Sequence, residues 1–85
     1  MDQWEYLTIY LVLEAIQHGR ERREEYVATF SDNTRIEGLE MVLRRFLDDG
    51  GWELVSMVPT GFRHTSQIDI VADELTAIFR RKVPI

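Results

Sequence analysis

Apolar residues fall on alternate positions over most of this chain and at helical spacing over one stretch. Residues 3–16 carry Trp4, Tyr6, Thr8, Tyr10 and Val12 on one parity and Leu7, Ile9, Leu11 and Leu13 on the other. Aromatic and β-branched side chains at this density fit a pleated strand. A strand with one wet face alternates apolar with polar. This one is apolar on both parities, which predicts a strand covered on both sides. A helix over residues 11–17 competes for the second half, because Leu, Glu, Ala and Gln favour helix. Residues 17–25 then set three Arg against three Glu with no apolar anchor, which predicts a turn or loop. Tyr26, Ala28 and Phe30 resume the strand pattern, so the expectation is a β-hairpin with a long charged tip.

The period changes after Asn33. Thr34-Arg35-Ile36-Glu37 has the form of a capping box, in which the Thr hydroxyl serves the N3 amide and the Glu reaches back to the cap. Ile36, Leu39, Val42, Leu43, Phe46 and Leu47 follow as one apolar stripe, with Gly38 inside the expected helix. Glu37, Glu40, Arg44, Arg45 and Asp48 fall mostly on the opposite side. Glu40 and Arg44 form an i, i+4 pair worth about 0.3–0.5 kcal/mol. Gly50-Gly51 ends the helix. Asp48 and Asp49 then sit at the negative end of the helix dipole, as surface acidity.

Residues 52–58 predict a strand stopped by Pro59. Strict alternation puts Trp52, Leu54, Ser56 and Val58 on one face, and Glu53, Val55 and Met57 on the other. A loop over residues 60–67 holds Gly61, Phe62, Arg63 and His64. Residues 68–71 predict a short strand and residues 75–83 the last one, with Leu75, Ala77 and Phe79 facing one way and Thr76 and Ile78 the other.

These elements predict a single α+β domain over residues 1–85. It has an antiparallel-rich sheet of about four strands, with one helix packed on one face. One helix covers only one face of a small sheet, and a layered fold must bury the other. A second copy is the simplest cover, so the expected state is a homodimer or higher oligomer.

Composition narrows the chemistry. The chain has 85 residues, 45% of them hydrophobic and 29% charged, the balance of a folded domain rather than a disordered one. A core this small has a thin stability margin without disulfides, metals or self-association. There is no cysteine, which removes disulfides, thiolate catalysis and Cys-based zinc sites. Net charge is −5, against nonspecific nucleic-acid binding. The acidity concentrates in the second half and is followed by a basic end, Arg80-Arg81-Lys82. Asp2 and Glu5 stand where a signal peptide would be basic, and no apolar run approaches membrane-spanning length. The expectation is a cytoplasmic protein with no membrane and no nucleic-acid partner.

The chain opens with Trp4-Glu5-Tyr6. Its helix leads into Asp49-Gly50-Gly51-Trp52-Glu53-Leu54-Val55-Ser56, followed by Val58-Pro59, and it closes with Ala77-Ile78-Phe79-Arg80-Arg81. This pattern resembles a family of small bacterial proteins called domain of unknown function 4177. The Gly-Trp-Glu-Leu-Val-Ser junction is the specific part, and the matched segments cover about a third of the chain. Members are shorter between the first strand and the helix, so the stretch from Tyr10 to Asn33 is a departure. The resemblance implies the fold and no activity. Physically, the junction lets the chain turn at Gly51 and fold Trp52 over the helix end, with Glu53 within reach of Arg80 or Arg81.

Catalytic constellations are absent from the sequence: there is no HExxH, paired CxxC, glycine-rich phosphate loop or nucleophile elbow. His18 and His64 each stand beside arginine in an expected loop. Ser31, Ser56 and Ser66 have no activating partner in sequence. The reading is therefore a non-enzymatic oligomeric interaction module with no cofactor and no metal. The alternative is a binder of a small, anionic ligand at a subunit interface. Its site would be lined by Tyr6, Tyr10 and Trp52 and gated by Phe62, Arg63 and His64.

Overall fold

A computed structural model of the protein describes residues 3–84. Five strands form one antiparallel sheet: β1 (Trp4–His18), β2 (Glu21–Thr29), β3 (Arg35–Glu37), β4 (Glu53–His64) and β5 (Ile70–Lys82), in the order β3-β2-β1-β5-β4. The single helix, α1 (Leu39–Arg44), continues as a π-helical turn over Arg45–Asp49. The sheet thus has five strands rather than about four. β1 is strand throughout and occupies the centre. It pairs with β5 along Trp4–Val12 and with β2 along Leu11–His18.

The charged segment is strand, not loop. Gly19 adopts a positive φ of 62°, so Gly19-Arg20 closes a two-residue turn between the paired residues His18 and Glu21. The ladder then continues from the apolar half of β1, setting Ala15 and Ile16 opposite Glu24 and Arg23, and Gln17 and His18 opposite Arg22 and Glu21. Arg23 pairs with Glu21 at 2.8 Å, and His18 lies 3.6 Å from Glu25. The hairpin is held by its backbone ladder and its two-residue turn, with these contacts along its charged side.

The expected capping box does not form. Asp32 Oδ1 accepts the Thr34 amide at 3.0 Å, Asn33 takes a left-handed φ of 68°, and the Thr34 carbonyl accepts the Phe30 amide. This local turn reverses the chain, so Arg35–Glu37 pairs with β2 instead of starting the helix. Gly38, with φ 97° and ψ 129°, is the joint before α1, and no side chain caps the helix. The helix exit matches expectation. Gly51 has φ 69°, the Trp52 amide donates to the Phe46 carbonyl at 2.9 Å, and the Trp52 ring lies so close that a Cβ on Gly50 would stand 2.8 Å from it.

α1 and the π turn cover one sheet face. Ile9, Leu11, Ala28, Leu75, Ala77 and Phe79 from β1, β2 and β5 are buried there with Val42, and Leu7, Tyr26, Leu43 and Phe46 pack around them. The Phe46 and Phe79 rings lie 5.2 Å apart. No polar side chain is fully buried among the described residues.

β4 runs through Pro59, which an edge strand tolerates because its outward side needs no donor. Likewise, the two strands expected over residues 68–71 and 75–83 are replaced by one continuous strand, β5, from Ile70 to Lys82. The β4–β5 register shifts at three places: Leu54/Ser56, Pro59/Gly61 and Gly61/Phe62. Such bulges bend and twist a strand. Beyond Val12 and Glu74, β1 and β5 no longer pair. The sheet forks there into a β1–β2 arm and a β4–β5 arm. Two contacts stitch the arms: the Tyr26 hydroxyl donates to the Ala72 carbonyl at 2.7 Å, and Arg63 pairs with Glu24. The molecule is elongated, 51 × 30 × 21 Å, with a radius of gyration of 15.2 Å. A compact chain of this length has about 12 Å.

Candidate functional site

Among the described residues, the sheet face opposite α1 is covered by no element. Its rows follow from the pairing. Trp4 stands beside Lys82; Tyr6 beside Arg80, then Glu53; Thr8 beside Ile78, then Ser56; Tyr10 beside Thr76, then Val58; and Val12 beside Glu74. Tyr6 and Tyr10 are each 61% exposed, and Val12 and Val58 are also exposed. The middle of this face is apolar or hydroxyl-bearing. Its Lys82 end is basic and its Glu74 end acidic.

Local contacts fix the ends. Arg80 lies over the Trp4 ring, 4.2 Å from its centroid, and bonds Glu53 at 3.2 Å. Lys82 approaches the same ring at 5.7 Å. Arg81 points to the helix side, where it stacks on Trp52 at 4.3 Å and pairs with Glu5. The expected alternation of the basic end therefore holds, as does the Glu53–Arg80 pair. At the acidic end the Thr60 hydroxyl donates to Glu74 at 2.8 Å and also contacts Thr76.

The face is not uncovered everywhere. Arg35 on β3 reaches Glu14 on β1 at 3.4 Å and Glu37 at 3.8 Å. The first of these contacts must cross β2, and Val27 on that strand is 1% exposed. An arginine strap thus closes the β2 section and leaves the β1-β5-β4 section open.

The six expected ligand residues do not converge within the chain. Tyr6 and Tyr10 lie on the open face, and Trp52 lies against the helix exit on the other side. Phe62, Arg63 and His64 continue β4 along the forked arm rather than forming a loop, with Phe62 63% exposed. Arg63 is engaged by Glu24. Among the described residues no group of three potential metal ligands comes together. No helix there is long and apolar enough to cross a membrane.

Sequence alternation identified the β1 row and the Thr76–Ile78 row. It misplaced β4. The bulge at Val55 sends Leu54 and Met57 to the helix side, beside Phe79 and Ala77, and brings Ser56 and Val58 onto the open face. The Arg35 strap was also missed, because it depends on β3 being a strand.

Comparison with protein-family models, with curated proteins and with solved structures returned no match.

Proposed function

We propose that this chain is a non-catalytic interaction module that works as a homodimer through its open β1-β5-β4 face. One observation carries the reading: a sheet section apolar at its centre has no cover of its own. Its accessible surface supports the same view, since the chain exposes 6427 Å² where a folded 10.0 kDa monomer exposes about 5200 Å². Nine residues along each of the three strands β1, β5 and β4 give a footprint of roughly 30 × 14 Å, about 420 Å². That is about half the ~800 Å² per partner of a standard interface before side-chain relief is added, the size of a modest dimer contact.

The charge gradient selects the arrangement. A two-fold axis in the interface, perpendicular to the strands and passing between the Thr8 and Tyr10 rows, runs the facing strands antiparallel. It sets the basic end of one copy against the acidic end of the other. The parallel alternative would oppose like charges. Membership of domain of unknown function 4177 belongs to the same proposal, resting on Trp4-Glu5-Tyr6 and the Gly51–Ser56 junction.

Light scattering at micromolar concentration tests the reading. The expected mass is twice 10.0 kDa, falling to a folded monomer in Tyr10→Asp, which puts a charge at the centre of the buried patch. A clean monomer for the unmodified protein sinks the proposal.

A further inference from the structure

A second surface lies on the opposite edge of the sheet. β3 is the outermost strand on its side, and a groove of about 430 Å³ runs between it and the helix flank formed by Met41, Arg44, Arg45 and Asp49. The ladder fixes which backbone groups face this groove. The Thr34 carbonyl and the Gly38 amide bond inward, to Phe30 and Tyr26. Successive residues of an antiparallel strand alternate between inward and outward bonding. The N–H and C=O groups of Arg35 and Glu37 therefore point away from β2, where no further strand meets them.

The side chains around the groove indicate what it accepts. Three arginines line it in a protein of net charge −5. Arg35 is held by Glu14 and Glu37, and Arg44 by Glu40 at 2.8 Å. Arg45 has no acidic partner among the described residues. Met41 stands 53% exposed beside it, an unbranched side chain that repacks against varied apolar partners.

From a free strand edge, an adjacent groove, an adaptable apolar side chain and an unmatched guanidinium, we propose that β3 and α1 bind an extended acidic peptide segment as an added sixth strand. Main-chain bonds to Arg35 and Glu37 supply the pairing, and the groove reads alternate side chains. A carboxylate two residues along the added strand meets Arg45, and an apolar neighbour rests on Met41. Asp49 stands at the far end of the same flank and selects against a second acid there. This site is separate from the open face, so it is occupied equally in monomer and dimer.

The test is an amide chemical-shift titration with a terminally blocked octapeptide of alternating Val and Glu. Shifts are expected at Arg35–Glu37 and along the Met41–Asp49 flank. Arg45→Glu, an exposed substitution checked for an unchanged melting temperature, is expected to weaken binding about tenfold, the loss of one charge-assisted bond. N-methylation of alternate peptide amides is expected to abolish it. Equal binding of a Val/Lys octapeptide removes the charge argument, and an undiminished response to the N-methylated peptide removes strand addition. Shifts confined to the open face, an equal response to free glutamate, or no shifts at millimolar peptide would each overturn the proposal.

Discussion

Asp32 accepts hydrogen bonds from the Thr34 hydroxyl and then from its amide, and these hold its carboxyl below the usual range. A carboxyl whose folded pKa lies below its unfolded one adds stability above the unfolded value, and that stability fades as pH falls through the folded one. Asp32→Asn keeps an acceptor for the Thr34 amide and removes the titration. The variant is expected to lose stability less steeply on acidification below the ordinary carboxylate range, read as urea midpoints over a pH series. Gly38 is constrained differently. Its φ of 97° belongs to glycine, while the nearest atom to an added Cβ is Met41 Cγ at 3.9 Å, so space is not the obstacle. Gly38→Ala should cost about 1–3 kcal/mol in backbone strain alone, measurable by urea denaturation. Both residues show where sequence reading fails. Thr34 and Glu37 at capping-box spacing describe a helix start only if the chain before them is not already reversed. The Asp32–Thr34 bond and the left-handed Asn33 supply that reversal, and nothing in the hydrophobic period records it.

The two arms of the fork depend on few contacts, and Tyr26 carries the best defined. Tyr26→Phe removes the bond to the Ala72 carbonyl and leaves the ring in place. A loss of about 0.5–1.5 kcal/mol is expected. Amide exchange should accelerate more in Ile70–Asp73 than in Leu75–Phe79; uniform acceleration along β5 would mean that the arm is held otherwise. At this scale the sequence is informative where side chains repeat with period two and misleading where the backbone slips. β1 and the buried side of β5 are legible because Leu7, Ile9, Leu11 and Leu75, Ala77, Phe79 alternate without interruption. β4 is not, since one extra residue at Val55 exchanges its faces. Pro59 reads as a stop because proline cannot donate to a ladder, yet on an edge that donor has no partner to miss. The charged hairpin reads as a loop because it lacks apolar residues, although its ladder is propagated from Leu11 and Leu13.

For the whole molecule, the two-sided apolar character of β1 predicts a cover on both faces; within the described residues α1 covers one, and the β1-β5-β4 section of the other stays open. The proposed antiparallel dimer makes a specific demand: Arg80 of one copy would face Glu74 of the other. Glu74→Lys and Arg80→Glu should each weaken association, by several-fold at low salt, and the double variant should recover much of the loss. Sedimentation equilibrium would measure the cycle. Additive losses would reject this register while leaving the face itself as the contact.

The pairing of Trp4–Val12 with Glu74–Lys82, extended by the Val83 amide on the Gln3 carbonyl at 2.9 Å, also bears on how the protein is made. Of the five strands, β5 leaves the ribosome last, and it is the one that buries beside the first half of β1. Until Lys82 emerges, the charged hairpin can close, but Trp4–Tyr10 has no neighbour on either edge and α1 has no Phe79 to pack on. Vectorial synthesis can therefore assemble only the Leu11–Ala28–Val42 side of this core before β5 emerges. The nascent chain must keep a sticky central strand unpaired through almost the whole length of the domain, and then complete the sheet in one late step.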